Sequence, residues 1–170
     1  MLRALLIPLV SLAVVACAEA SVAPVDGHAN ESPTAVDRPT LSLAWSGTAS
    51  APTRVEVHYA RPDAAEAPRM VEVRLKLSGG ATLATAMAGP ALTAAGKELV
   101  TQVEADGTVR LVGFATGNLA RIGPGVIAEV DLTRGAGPVE VALVDGTPAF
   151  APAAANNGLR LGPPLREEAP

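Results

Sequence analysis

The chain has little of the chemistry on which most active sites depend. Its 170 residues include one cysteine and two histidines. A single cysteine cannot form an internal disulfide, and with two separated histidines it cannot complete a zinc site. His28 lies in a stretch without periodicity and His58 on the polar side of an alternating run, so neither indicates acid-base catalysis. We therefore predict no catalytic site, no metal site and no cofactor, and a protein that is not an enzyme.

Positive charge is also scarce. The chain has 13 lysines and arginines against 17 acidic residues, a net charge of −4 at pH 7, and no basic cluster. Domains that bind nucleic acid carry a basic patch or stripe. The composition therefore predicts that nucleic acid is not a partner.

Aromatic residues are few, namely one tryptophan, one tyrosine and two phenylalanines. The core must then be mainly aliphatic. Sugar binding needs a planar aromatic surface, for which Trp45 and Tyr59 are the candidate pair. Trp45 shares an alternation with Leu41 and Leu43, so the pattern favours core packing for its ring.

The N-terminus carries an apolar run of residues 4–15 after a single cation, Arg3. The run is shorter than the roughly 20 residues that cross a bilayer as a helix, and it contains Pro8. Residues 1–16 therefore have the pattern of a signal peptide. The sequence VVAC at residues 14–17 resembles the lipobox of bacterial lipoproteins.

The resemblance implies that Cys17 becomes the mature N-terminus and is lipidated, which anchors the protein to a membrane. The alternative is an ordinary secretory signal with a chance cysteine, which would leave an odd free thiol. Ala18 stands where some bacteria place an aspartate for inner-membrane retention. We therefore predict a lipid-anchored protein of the bacterial cell envelope, at the outer membrane.

The rest of the chain divides by composition. After Cys17, residues up to 39 are rich in Ala, Ser, Pro, Asp and Glu without periodicity, as in a disordered tether. Residues 40–162 hold the periodic segments and are predicted to form one domain, with a disordered tail at 163–170. We expect the protein to be a monomer.

Within the domain, apolar and polar residues alternate over short runs that end at Gly, Pro or Asp. In the clearest run, the members of one set are apolar and those of the other are charged: Val71, Val73, Leu75 and Leu77 against Glu72, Arg74 and Lys76. Asp106-Gly107 predicts a hairpin into residues 109–114, which are apolar on both faces and predicted to be central. About eight or nine such strands predict an all-β fold, a single antiparallel β-sandwich.

Two local alternatives remain open at this point. Residues 81–95 are rich in alanine and could form a helix, although Gly89-Pro90 would break it. Hard-oxygen donors in predicted loops could hold calcium, but the same residues are ordinary turn formers. These donors are Asp106, Asp145, Asn156 and Asn157.

The order of the strands and turns resembles the cohesin-like and carbohydrate-binding-module-like sandwich domains of bacterial surface proteins. The resemblance is carried by the segments MVEVRL (70–75), GP (89–90), GK (96–97), DGTVRL (106–111), GVIAEVDL (125–132) and GPVEVAL (137–143). Two features depart from it, because residues 77–80 read LSGG where an aromatic-Asp-Pro turn is usual, and because displayed aromatics are mostly missing.

The resemblance implies a jelly-roll, cohesin-like sandwich that acts by recognition. The principal hypothesis is a membrane-anchored lipoprotein with a non-catalytic module that binds an envelope or extracellular protein. One alternative is a carbohydrate-binding lipoprotein that uses Trp45 and Tyr59 on a polysaccharide. Another is a structural envelope lipoprotein.

Overall fold

The computed structural model describes residues 38–46, 53–62, 66–144, 149–151 and 158–167. The predicted signal peptide, Cys17, His28 and the tether up to residue 37 lie outside the described residues, as do Asp145, Asn156 and Asn157. The helix within the described residues is too short to cross a bilayer.

Eleven strands and one short helix occur in the described residues. In chain order they are β1 (Thr40–Ser46), β2 (Thr53–Ala60), β3 (Met70–Ser78), β4 (Thr82–Ala88), α1 (Pro90–Ala94), β5 (Glu98–Val103), β6 (Val109–Phe114), β7 (Gly125–Thr133), β8 (Glu140–Leu143), β9 (Ala149–Ala151), β10 (Arg160–Leu161) and β11 (Leu165–Arg166). The predicted all-β fold is confirmed, and the strands beyond the predicted eight or nine are short ones near the C-terminus.

The strands form two sheets that pack face to face. Sheet A has the order β10-β1-β2-β7-β4, and sheet B has the order β11-β8-β3-β6-β5 with β9 also paired to β3. All pairs are antiparallel except β1 with β10, which is parallel. β6 has neighbours on both sides, as its apolar character predicts.

Alternation decides which side chains enter the core. On β3, Val71, Val73 and Leu75 are at most 3% exposed, whereas Glu72 and Arg74 lie on the other side of the sheet. Two irregularities occur in sheet A, one in the pairing of β4 with β7 after Leu83 and one where the register between β2 and β7 shifts after Val57. The second is a bulge that places Ile127 and its neighbour Ala128 both in the core, whereas the alternation of apolar residues along residues 126–132 predicts that neighbours point to opposite faces.

The segment between β4 and β5 is not the long helix considered above. β4 ends at Ala88, and α1 is a single turn with Pro at its start, where a proline ring suits the helical backbone. Its one buried residue, Leu92, fills space left by Gly113 of β6, because a Cβ on Gly113 would lie 2.7 Å from the Leu92 Cδ1. Residues 81–95 thus close one side of the core.

Residues 163–170 are predicted to be a disordered tail, but the described part of this stretch contains a strand, β11. β11 pairs with β8, with Leu165 opposite Val141 and Arg166 opposite Glu140. Leu165 also packs against the core. The sheet therefore continues beyond residue 162, because a two-residue strand is held by long-range pairing that leaves almost no periodic signal in the sequence.

Candidate interaction surface

The two predicted aromatic residues do not form a joint platform. Tyr59 is 2% exposed and belongs to the core, so its ring offers no open face for a sugar. Trp45 is partly buried against the core, and its Nε1 donates a hydrogen bond to the Arg166 carbonyl at 3.3 Å. Tyr59 lies opposite Leu41, four positions from Trp45 on β1, which is about 13 Å along the strand.

The outer face of sheet A holds the second histidine, as its alternation predicts. The His58 Nε2 lies 2.9 Å from a Glu56 carboxylate oxygen, and the side chain is about one third exposed. Nearby, Arg54 donates to both carboxylate oxygens of Asp131, at 2.6 and 3.0 Å, and to Glu129 at 3.2 Å. The hydrogen bond from Arg54 lowers the pKa of Asp131. The Arg54 guanidinium is thus shared between the carboxylates of Asp131 and Glu129.

The candidate calcium donor within the described residues, Asp106, behaves as a turn former. Its carboxylate accepts hydrogen bonds from the Thr108 backbone N–H at 3.0 Å and hydroxyl at 2.9 Å. The backbone hydrogen bond from Thr108 is the main cause of a lowered pKa at Asp106. Among the described residues, no three His, Cys, Asp or Glu side chains come close enough to hold a metal ion.

A small open cavity lies where the edges of β4 and β5 approach each other. Its volume is about 230 Å³, and Lys76, Leu83, Val103 and Asp106 are among its lining residues. Ligand pockets of proteins usually measure about 300 to 1,000 Å³ and bury most of the ligand. This cavity is therefore a poor candidate for a small-molecule site.

The outer side of sheet B is the more promising surface. We use the name sheet B face for the outward side chains of four of its six strands, β8, β3, β6 and β5. These are Met70, Glu72, Arg74, Lys76, Ser78, Glu98, Val100, Gln102, Arg110, Val112, Phe114, Glu140 and Ala142. They alternate with the core residues of the same strands, so the pleat places them together on one side of the sheet.

An ion cluster occupies the centre of the sheet B face. Arg110 donates two hydrogen bonds of 2.8 Å to the two carboxylate oxygens of Glu72, a geometry that holds both side chains in place. This hydrogen bonding is the main reason that the pKa of Glu72 is lowered. The Arg74 Nε lies 3.5 Å from the same carboxylate and 3.6 Å from a Glu104 oxygen. Ordered charges of both signs therefore stand on β3 and β6.

An apolar strip runs beside the cluster. Val100 of β5 is 48% exposed and lies opposite Val112 of β6, and Phe114 follows Val112 on the same side of its strand. Val112 and Phe114 are partly buried. Exposed apolar groups next to arginines and one aromatic ring are typical of the centre of protein interfaces. This combination identifies the sheet B face as the candidate interaction surface.

Sequence reasoning singled out neither the ion cluster nor the apolar strip. The sequence pattern predicts that residues 109–114 are apolar on both faces, but in the structure Arg110 interrupts the apolar side chains on the outer face. Glu72 and Arg110 are 38 positions apart, and their pairing depends on β3 and β6 being neighbours. The sequence signal that could have led to the ion cluster is the charged side of β3, because opposite charges on an adjacent strand stabilise such a side.

The comparisons with known proteins agree with this architecture. No protein-family model and no curated protein sequence matches the chain. The third cohesin of ScaC from Acetivibrio cellulolyticus, solved in complex with the ScaB dockerin, is similar in structure. It has a TM-score of 0.56 and 14% identity, over 72% of this chain and 93% of that one.

Two further cohesins are similar to the chain. The sixth cohesin of scaffoldin B from Acetivibrio cellulolyticus, solved with the Cel5 dockerin, has a TM-score of 0.51 and 18% identity over 66% of this chain and 85% of that one. A type I cohesin from Clostridium thermocellum has a TM-score of 0.50 and 7% identity over 66% and 82%. The described domain therefore has the β-sandwich fold of cohesin modules.

Proposed function

We propose that the protein is a lipid-anchored component of the bacterial cell envelope whose sandwich is a non-catalytic module that binds another protein. The sheet B face is its recognition surface. The observation that carries the proposal is the apolar strip of Val100, Val112 and Phe114 beside the Glu72–Arg110 pair.

The physical argument is that such a surface can bind without rearranging. Its charged groups are already held by hydrogen bonds, so little side-chain freedom is lost when a partner covers them. The apolar strip supplies the area whose removal from water stabilises a complex. An extended sheet face suits another protein surface better than a small ligand, which needs a concave site.

The outer face of sheet A is a weaker candidate for the same role. It places one arginine among three carboxylates, those of Glu56, Glu129 and Asp131, and its exposed large apolar side chain is Met87. The similar cohesin structures described above include complexes with dockerins, which are proteins. This likeness supports a protein partner for the present chain and leaves the identity of that partner to experiment.

The first prediction tests the sheet B face. A photo-crosslinking amino acid at Val112 is expected to capture a discrete protein from the source cells, because its side chain stands at the centre of the apolar strip. The matched control carries the same group at Thr85 on the outer face of sheet A, which should not capture that protein. Mass spectrometry identifies the captured protein, and calorimetric titration with the purified form measures its affinity.

The affinity measurement has its own paired variants. Val112→Glu is expected to weaken binding by at least about tenfold, because burying an unpaired carboxylate at an interface costs more than 1.4 kcal/mol. Thr85→Glu should leave binding unchanged. Capture from both faces alike, or a purified complex that is indifferent to Val112→Glu, would contradict the proposed surface.

The second prediction concerns the anchor. The lipobox match at residues 14–17 implies that Cys17→Ser abolishes lipidation and either releases the protein from the membrane fraction or blocks its processing. Several acyl chains make release from a bilayer negligible, so the wild-type protein should stay almost entirely in the membrane fraction. The measurement is intact-mass analysis of the membrane fraction.

A second substitution next to the cysteine separates anchoring from sorting. Ala18→Asp should keep the lipid mass and shift the protein to the inner membrane in bacteria that use an aspartate there as a retention signal. An unmodified Cys17 in membrane-bound wild-type protein would refute the anchor.

A further inference from the structure

In the part of the chain that the structure describes, the two sheets end in four edge strands, and three of these are short or irregular. β10 and β11 are two residues long, and β4 carries an irregularity in its pairing with β7 between Leu83 and Thr85. Short strands and bulges are the devices by which proteins prevent their edges from pairing with other chains. β5 differs, because its six residues pair with β6 in unbroken register and contain no proline.

The hydrogen-bond pattern shows which backbone groups β5 offers at its free edge. Continuing the register of β5 and β6, the Glu104 N–H donates to the Thr108 carbonyl at 2.8 Å. Hydrogen-bonded pairs alternate along an antiparallel ladder, so Val100 also directs its backbone groups at β6. The N–H and C=O groups of Leu99 and Thr101 therefore point away from β6, where no strand of the described residues pairs with them.

The side chains at this edge are also unusually apolar for a free strand. Val100 is 48% exposed and Val103 is 55% exposed, and both belong to β5. Glu98 is the one charged residue of the strand and stands at its first position. A long, regular, mostly uncharged edge is the kind that accepts an added strand.

We propose that the added strand is β5 of a second copy of this chain. The two strands run antiparallel about a two-fold axis with Val100 opposite Val100, which joins the two B sheets into one. The proposal does not depend on the protein-binding function and replaces the monomer expected from the sequence.

The charged residues near β5 allow two copies of the strand to pair and favour one register over its neighbour. With Val100 at the axis, Glu98 of each copy faces the neutral Gln102 of the other, and no like charges are opposed within the strands. With Thr101 at the axis, Glu98 would face Glu104 twice, which is destabilising. If the pairing of the two β5 strands shifted by one residue, the core-facing side chains of one strand would lie beside the solvent-facing side chains of the other.

The backbone groups match in the same register. Leu99 of one copy lies opposite Thr101 of the other, and both present outward N–H and C=O groups, so each such pair can exchange two hydrogen bonds. Val100 then forms a pair without backbone hydrogen bonds, the type in which opposing side chains approach most closely. The two exposed valines would bury each other, which removes apolar area from water.

Disulfide trapping tests the register directly. In the full chain carrying Cys17→Ser, which removes the single native thiol, Val100→Cys should form an intermolecular disulfide on mild oxidation. Cα atoms in such a pair are about 4.5 Å apart, within the roughly 4.4–6.8 Å that disulfides span. The matched control is Val112→Cys, whose two copies would stand three strand spacings apart, roughly 14 Å, and should remain reduced.

Sedimentation equilibrium provides the measurement that does not depend on a cysteine. The Cys17→Ser chain should show concentration-dependent dimerisation, and Val100→Lys should raise the dimer dissociation constant at least about tenfold, because like charges then face each other. Val112→Lys should have little effect. A chain that stays monomeric at its solubility limit, or equal trapping at positions 100 and 112, would overturn the proposal. Monomers in which the outward amides of Leu99 and Thr101 are protected from hydrogen exchange would do so as well, since another segment would then cover the edge.

Discussion

Tyr59→Ala is expected to lower the free energy of unfolding by about 3 to 5 kcal/mol, as large-to-small changes of buried aromatic residues do. The Tyr59 side chain is 2% exposed and lies in β2, between β1 and β7. Burial raises the pKa of its phenol, so the group stays neutral and the loss would be one of packing. Urea-induced unfolding followed by circular dichroism measures the change.

Two further substitutions serve as comparisons for the loss of stability in Tyr59→Ala. Tyr59→Phe keeps the ring and its packing and should therefore cost no more than about 1 kcal/mol. Trp45→Ala should cost less than Tyr59→Ala, because the indole is only partly buried. If Tyr59→Ala left the unfolding midpoint unchanged, the ring would not belong to the core, and the sugar-binding hypothesis would regain its aromatic platform.

Gly79→Ala is expected to destabilise the domain by about 3 kcal/mol, through backbone strain and overpacking together. Gly79 forms the turn between β3 and β4 with φ +72°, a region that favours glycine. A Cβ there would also lie 2.1 Å from the carbonyl oxygen of Pro138, a backbone atom that cannot rotate aside. Thermal and urea unfolding both report the effect.

The matched control for this turn is Gly107→Ala. Gly107 has a similar φ of +81°, but a Cβ would meet no atom within 4 Å. Its substitution should cost only the conformational strain, about 1 kcal/mol. The difference between the two variants measures the close packing of the β3–β4 turn on the segment before β8. Equal costs at the two glycines would mean that this packing contributes nothing.

Local sequence patterns predicted the parts of the fold that depend on local physics. Alternation in residues 71–77 predicted which side of β3 enters the core, since successive side chains of a strand point to opposite faces. Asp106-Gly107 predicted the hairpin between β5 and β6, and the structure has Gly107 at positive φ and Asp106 bonded to Thr108. Gly89-Pro90 predicted the break that ends β4.

The candidate surface lay mostly beyond such patterns. Glu72 and Arg110 are 38 positions apart, and the pairing of the two arises because β3 and β6 are adjacent. The exposures of Tyr59 and Trp45 differ although both share the apolar side of their strands, because the position along a strand decides how much of the opposite sheet covers a side chain.

The sequence by itself thus determined the longer strands, most of their buried sides and the hairpin turn at Asp106-Gly107, because these follow from the conformational preferences of a few neighbouring residues. Only the tertiary structure decided which strands are neighbours, that β11 belongs to sheet B, and that β5 pairs in regular register with β6 and with no second strand among the described residues. Strand order is a property of long-range packing, in which many pairings satisfy the same alternation and the whole core selects one.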